Sequence, residues 1–238
     1  MAWLIRSLRA APPSEVTLTA LAGSVDDPRG EKALGKWFEA FDIRGLAVTW
    51  GMIGAEGDWS LASQMIQSAV PHELAYRIST ARLGDSLPLL ESQSAVAHQV
   101  DIPLRTMIRA GCGIHPGVLA RLGVNALVRL DELGQKRQSG FLRSYGWNQW
   151  EVLITDLVPA SLGLTESTQL LARLMVAKRD DAQLHLLWDL TKLAKCPRTP
   201  TLRLLDGMAE LVRRNHISVS TLGHQAQLAS QRSGLSAA

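Results

Sequence analysis

The chain has 238 residues, 46% of them hydrophobic and 20% charged. That is long and apolar enough to bury a full core without disulfides, and the composition argues against disorder. The formal charge of +3 permits a nucleic-acid partner without demanding one, and Cys112 and Cys196, far apart and outside any C-x-x-C frame, argue against a disulfide framework or a Cys-rich zinc site.

No apolar run approaches the roughly 18 residues of a membrane span, and residues 1–9 lack the apolar core of a secretory signal. The expectation is a cytoplasmic protein with no membrane contact. The charge is uneven: residues 170–238 carry ten basic and five acidic side chains.

Leu, Ala and Arg dominate over β-branched residues, which favours helices. Residues 1–11 read as a short amphipathic helix stopped by Pro12-Pro13, and Ser14 reads as a cap for the next segment. Residues 24–30 form a turn-rich break, and 31–41 read as a helix with Leu34, Trp37, Phe38 and Phe41 on one stripe. Residues 44–54 are apolar and fit helix or strand equally. Asp58 caps a predicted helix from Trp59 to about Val70, and Pro71 opens another to about Leu83. Helices are predicted at about 86–99 and 103–110, and again from His115 with Leu119, Leu122, Leu127 and Leu130 inward. Residues 140–148 read as irregular or extended, 149–157 as a helix, 165–178 as a strong helix and 180–195 as a further one. Cys196 to Pro200 reads as a stiff connector before an amphipathic helix at 202–215. The expected fold is all-α, with at most a short β-hairpin near 43–54 or 141–147. The expected divisions are an N-terminal helical region (1–70), a central helical domain (71–196) and a basic helical segment (197–238).

Two segments have the outline of a helix-turn-helix. In 91–109, Ala95 takes the small position at the helix crossing and Val100 the apolar turn position. Asp101 caps and Pro103 opens a recognition helix. Leu104, Met107 and Ile108 then face inward. Arg105, Thr106 and Arg109 face out, where Arg can pair with guanine or phosphate. The turn position usually held by Gly is Gln99, which must take a left-handed conformation. In 209–222, Asn215 and His216 supply the turn, Ile217 is the apolar turn residue and Ser218 the cap. Ser220, Thr221 and His224 face outward, flanked by Arg213 and Arg214, although Gln225 holds an inward position.

Residues 86–100 with 104–109 resemble the early helices of the C subunit of the flagellar master regulator. Residues 108–122, 127–133 and 140–143 are similar to its D subunit, a kind of protein also found as transfer activators of integrative conjugative elements. The resemblance covers roughly 75–175. It implies a helical DNA-binding activator subunit that works in a hetero-oligomer; the expected partners are DNA and either a protein partner subunit or further copies in a homo-oligomer. The four-cysteine zinc site of the C subunit has no counterpart here.

Other chemistry finds little support. His72, His98, His115, His185, His216 and His224 form no H-x-x-x-H or H-E-x-x-H frame, and neither G-x-x-x-x-G-K-[ST] nor G-x-S-x-G occurs. Gly111 to Gly117 reads as a helix stop and restart, and Asp180-Asp181 as helix-start carboxylates. Seven tryptophans are many for this length. Trp147 and Trp150 beside Arg143 and Tyr145 make either a stacking surface or core. The expectation is therefore a DNA-binding transcriptional regulator, an activator subunit of a mobile genetic element, with no enzymatic activity, no cofactor and no metal. Its DNA contacts would be Arg105, Thr106, Arg109, Arg213, Arg214, Ser220 and Thr221. The alternative is a non-enzymatic helical adaptor of a bacterial secretion apparatus.

Overall fold

The computed structural model describes residues 13–22, 28–52, 55–78, 83–110, 114–132, 142–159, 162–177, 183–190 and 197–233. The all-α expectation is corrected: helices alternate with the strands of one curled, half-barrel sheet. The elements are β1 (Ser14–Ala22), α1 (Pro28–Asp42), β2 (Thr49–Gly51), α2 (Ala55–Gln67), β3 (Glu73–Ile78) and α3 (Leu83–Gln99). Next come β4 (Thr106–Arg109), α4 (Pro116–Arg121), β5 (Ala126–Arg129), β6 (Leu142–Gly146), β7 (Gln149–Val152) and β8 (Asp156–Pro159). The chain continues with α5 (Leu164–Ala177), β9 (Leu184–Leu190), α6 (Thr199–Arg213), β10 (Ile217–Ser220) and α7 (Leu222–Arg232).

The sheet order is β6-β7-β5-β4-β3-β2-β1-β9-β8, with β10 also paired to β1. Every pairing is parallel except the β6–β7 hairpin. Parallel neighbours need crossover connections, and the intervening helices supply them. Strands from all three expected sequence divisions enter this one sheet.

Strand alternation sends residues to two faces. On β1, Val16, Leu18 and Ala20 join the large cluster that packs under α1 to α6. Leu21 joins a smaller cluster on the inner face, with Ala75, Ile108, Ala126, Val128 and Leu187, and this one is covered by Leu222 and Ala226 of α7. The aromatic centre of the outer cluster is Phe41, which meets Trp50 and Trp188 edge-on at 5.9 and 5.3 Å between ring centroids. That geometry places ring edges against negative faces. The predicted stripe of α1, Leu34, Trp37, Phe38 and Phe41, is buried as expected.

Several predicted helices are strands. The segment opened by Pro71 is β3, and 103–110 contains β4. Residues 149–157 are β7 and the start of β8, and 180–195 contains β9. The helix begun at His115 ends at Arg121, so Leu127 belongs to β5. Neither helix-turn-helix forms. α3 is followed by a strand, not a recognition helix, and the left-handed turn residue is Asp101 (φ 53°), not Gln99. After α6, Asn215 does turn left-handed (φ 55°), but β10 intervenes before α7. Residues 1–12 and both cysteines lie outside the described residues. Among the described residues, no helix is long and apolar enough to cross a membrane.

Sheet continuity depends on one side chain at the point where β2 stops. Gln93 of α3 is fully buried. Its Oε1 accepts from Arg77 N–H at 3.2 Å and its Nε2 donates to Arg77 C=O at 3.4 Å. The amide thereby pairs the Arg77 backbone as a strand neighbour would, because buried backbone groups must be paired. We expect Gln93→Leu, similar in volume but without the amide, to cost about 2 kcal/mol in urea unfolding, whereas a change under 0.5 kcal/mol would show that β3 does not need it.

Candidate functional site

β1 has two flanks. β9 covers Val16 to Ala22 on one of them. The other is shared end to end, with β10 beside Ser14 to Thr17 and β2 beside Thr19 to Leu21. Since β2 spans only three residues, the far side of β10 faces the approach to β3 and β4 across an open slot. This slot is a cleft of about 450 Å³. Pro71, His72, Glu73, Ile102, Pro103 and Arg105 form one wall. Ser218 to Thr221, Gly223, His224 and Gln227 form the other.

Glu73 stands at the base and is buried. Its Oε1 accepts from Thr106 Oγ1–H at 2.5 Å, and its Oε2 accepts from Thr49 Oγ1–H and from Gly223 N–H, each at 3.0 Å. Thr49 Oγ1 in turn accepts from Leu222 N–H at 3.0 Å. The first two N–H groups of α7, which no helical carbonyl can satisfy, are thus met by Glu73 and Thr49. Burial pushes the Glu73 carboxyl above its usual range, opposed by hydrogen bonds from Thr106, Gly223, Thr49 and Thr221.

Arg105 and His224 are the exposed basic side chains of the cleft. Arg105 has no ion-pair partner among the described residues. Ser220 Oγ accepts from Gln225 Nε2 at 2.7 Å, which leaves its O–H free to donate. The cleft therefore gathers cationic and hydroxyl donors, the chemistry that suits an oxyanion.

The side chain of His72, a residue of the cleft wall, is buried. Its Nδ1 accepts from Val48 N–H at 3.2 Å, so the proton sits on Nε2, facing Asp42 Oδ1 at 3.4 Å. Burial lowers its pKa, and Asp42 opposes this. Asp42 also accepts from Ser68 Oγ. Ser68, Asp42 and His72 are linked through the carboxylate, an order that keeps the imidazole away from the serine, unlike a nucleophilic triad, in which the imidazole lies between serine and carboxylate.

The residues singled out in the sequence divide sharply. Arg105, Ser220 and Thr221, drawn from two separate segments, line the same cleft. Thr106 and Arg109, expected to face DNA from a helix, are buried on β4, where Thr106 is a ligand of Glu73 and Arg109 lies 6.0 Å from the Tyr145 ring centroid. Arg213 and Arg214 are exposed at the end of α6, and both pair with Glu210. Glu73 itself was not singled out. Trp37, Trp50 and Trp188 are core, Trp150 donates to Ser230 Oγ at 2.9 Å, and Trp147 is 71% exposed at the β6–β7 turn. Among the described residues, no group of three His, Cys, Asp or Glu is arranged to hold a metal ion.

The fold and cleft define an α/β half-barrel with a polar slot in its sheet. No protein-family model matches the chain, and no curated protein matches it either.

Two outcomes test this geometry. A Cβ at position 223 would lie 2.6 Å from Glu73 Oε1, so Gly223→Ala should destabilise by about 1–3 kcal/mol in urea unfolding; an unchanged midpoint would mean α7 is not seated on Glu73. The second concerns His185, fully buried on β9, 2.9 Å from Thr19 Oγ1, with its pKa lowered by burial to about 3. Its folded form stays neutral while the unfolded imidazole gains a proton below about pH 6.5. His185 therefore stabilises fully above about 6.5 and loses that contribution as pH falls towards 3, at about 1.4 kcal/mol per unit. His185→Gln should flatten stability against pH between about 5 and 6.5, and an unaltered slope would contradict a neutral buried imidazole.

Proposed function

We propose that this protein is a non-enzymatic regulator that recognises a phosphate group in the cleft between β10 and the start of β3 and β4. The observation that carries this reading is the meeting of Arg105, His224, Ser218 and Ser220 around one slot. Arg105 supplies a planar fork of donors that matches a tetrahedral oxyanion. Ser220 is held by Gln225 as acceptor and keeps its proton for a ligand. The nearby carboxylate of Glu73 has both oxygens engaged by donors, which spread and offset its charge before an anion arrives.

The DNA-associated role expected from the sequence rests, in this reading, on the cleft and not on a helix-turn-helix. A DNA phosphate and a small phosphorylated molecule offer the same group. Titration calorimetry with inorganic phosphate, and with mixed-sequence duplex DNA at 50 and 200 mM salt, separates these sources. Binding of DNA should fall steeply with salt through counterion release, whereas a small-ligand site should bind phosphate and leave DNA untouched.

Arg105→Ala should weaken whichever ligand binds by roughly ten- to a hundredfold, as expected for a lost charge-assisted contact of about 1.5–3 kcal/mol. It should leave the unfolding midpoint within error, because Arg105 is exposed. Absence of binding to either ligand, or binding indifferent to Arg105, overturns the proposal.

A further inference from the structure

The wall of the cleft that follows β10, formed by Thr221, Gly223, His224 and Gln227, is also the beginning of α7, the helix whose Leu222 and Ala226 cover the inner apolar face of the sheet. The other wall belongs to β3, β4 and the segments leading into them. Besides packing, α7 is held at its start by Glu73 and Thr49, in its last turns by Trp150 Nε1 donating to Ser230, and at its end by Arg232 to Glu15 at 3.0 Å. Most of the residues it presents to the sheet are small: Gly223, Ala226, Ala229 and Ser230. The contact is therefore lean in apolar area for a buried helix, and small area means small stabilisation. Segments with little buried apolar area are the ones that open locally.

We infer that phosphate in the cleft governs whether α7 stays docked on the inner face of the half-barrel. The inference rests on the phosphate reading proposed above and adds its consequence. Ser220 stands on β10 and Arg105 beside β4, so His224 is the contact that α7 itself carries, and a ligand held by all three makes its full set of contacts only while α7 is seated. Ser220 passes the constraint on through Gln225, and Thr221 through Glu73. A ligand that binds the docked state alone stabilises it by mass action, and the coupling is reciprocal. Release of α7 uncovers Ala75, Ile108, Ala126, Val128 and Leu187, a continuous apolar surface.

Hydrogen exchange of the full chain, followed by mass spectrometry with and without inorganic phosphate, tests this. If α7 exchanges by local release, phosphate at ten times its dissociation constant should slow the amides of 224–232 about tenfold. Those of β9 in the sheet centre should hold their rate. In Arg105→Ala the slowing should fall to about twofold or less at the same phosphate concentration. Phosphate that binds, by calorimetry, without slowing 224–232 overturns the coupling and leaves the binding proposal standing. Phosphate that does not bind overturns the coupling, and overturns the binding proposal too when duplex DNA also fails to bind.

Discussion

The carboxylate of Glu73 is the constraint on which the rest of the architecture turns. An ionisable group taken out of water needs donors enough to replace its hydration, and this one draws them from four places: Thr49 on β2, Thr106 on β4, the Gly223 amide, and Thr221 at the start of α7. Three adjacent strands and the last helix are therefore registered on a single side chain. Removal of any donor leaves a buried oxygen less well satisfied, and a side chain at position 223 occupies the space the carboxylate needs.

From that anchor the inner face follows in order. Next to Glu73 the strands present Thr17, Thr19, Thr49, Thr106 and His185, a polar belt in which His185 is kept neutral by burial. One step along the strands the same face becomes apolar, with Leu21, Ala75, Ile108 and Val128, and α7 lies against it. The outer face carries the larger aromatic and aliphatic cluster under α1 to α6. The slot exists because β2 is short and β10 takes up the remaining length of β1 without reaching β3. A local shortage of strand thus leaves a polar opening beside the belt.

Helices with a one-sided apolar stripe were legible in the sequence. α1 shows Leu34, Trp37, Phe38 and Phe41 at helical spacing, and α5 and α6 show comparable patterns. The central strands were not. Buried parallel strands are apolar on both faces, so short runs such as Thr106 to Arg109 carry no clear period. In β9 the alternation of His185 and Asp189 with Leu and Trp was present, but Leu-rich composition outweighed it. Pro71 suited the first turn of a helix equally well. The site was legible only in part. Arg105, Ser220 and Thr221 were recognised as polar and available, but for a motif that does not form. Their meeting in one cleft depends on pairings between residues more than a hundred positions apart, which no local pattern encodes. Glu73 gave no sign at all, since its partners Thr49, Thr106 and Gly223 become neighbours only when the sheet closes.

The most direct measurement is a crystal structure grown with tungstate, a heavy tetrahedral analogue of phosphate whose anomalous signal marks its position. The expected result is one strong peak in the cleft, within hydrogen-bonding distance of the Arg105 guanidinium and the Ser220 hydroxyl, with α7 seated on Glu73. An empty cleft at saturating tungstate, or a peak bound elsewhere on the surface, contradicts the assignment of this slot as the functional site.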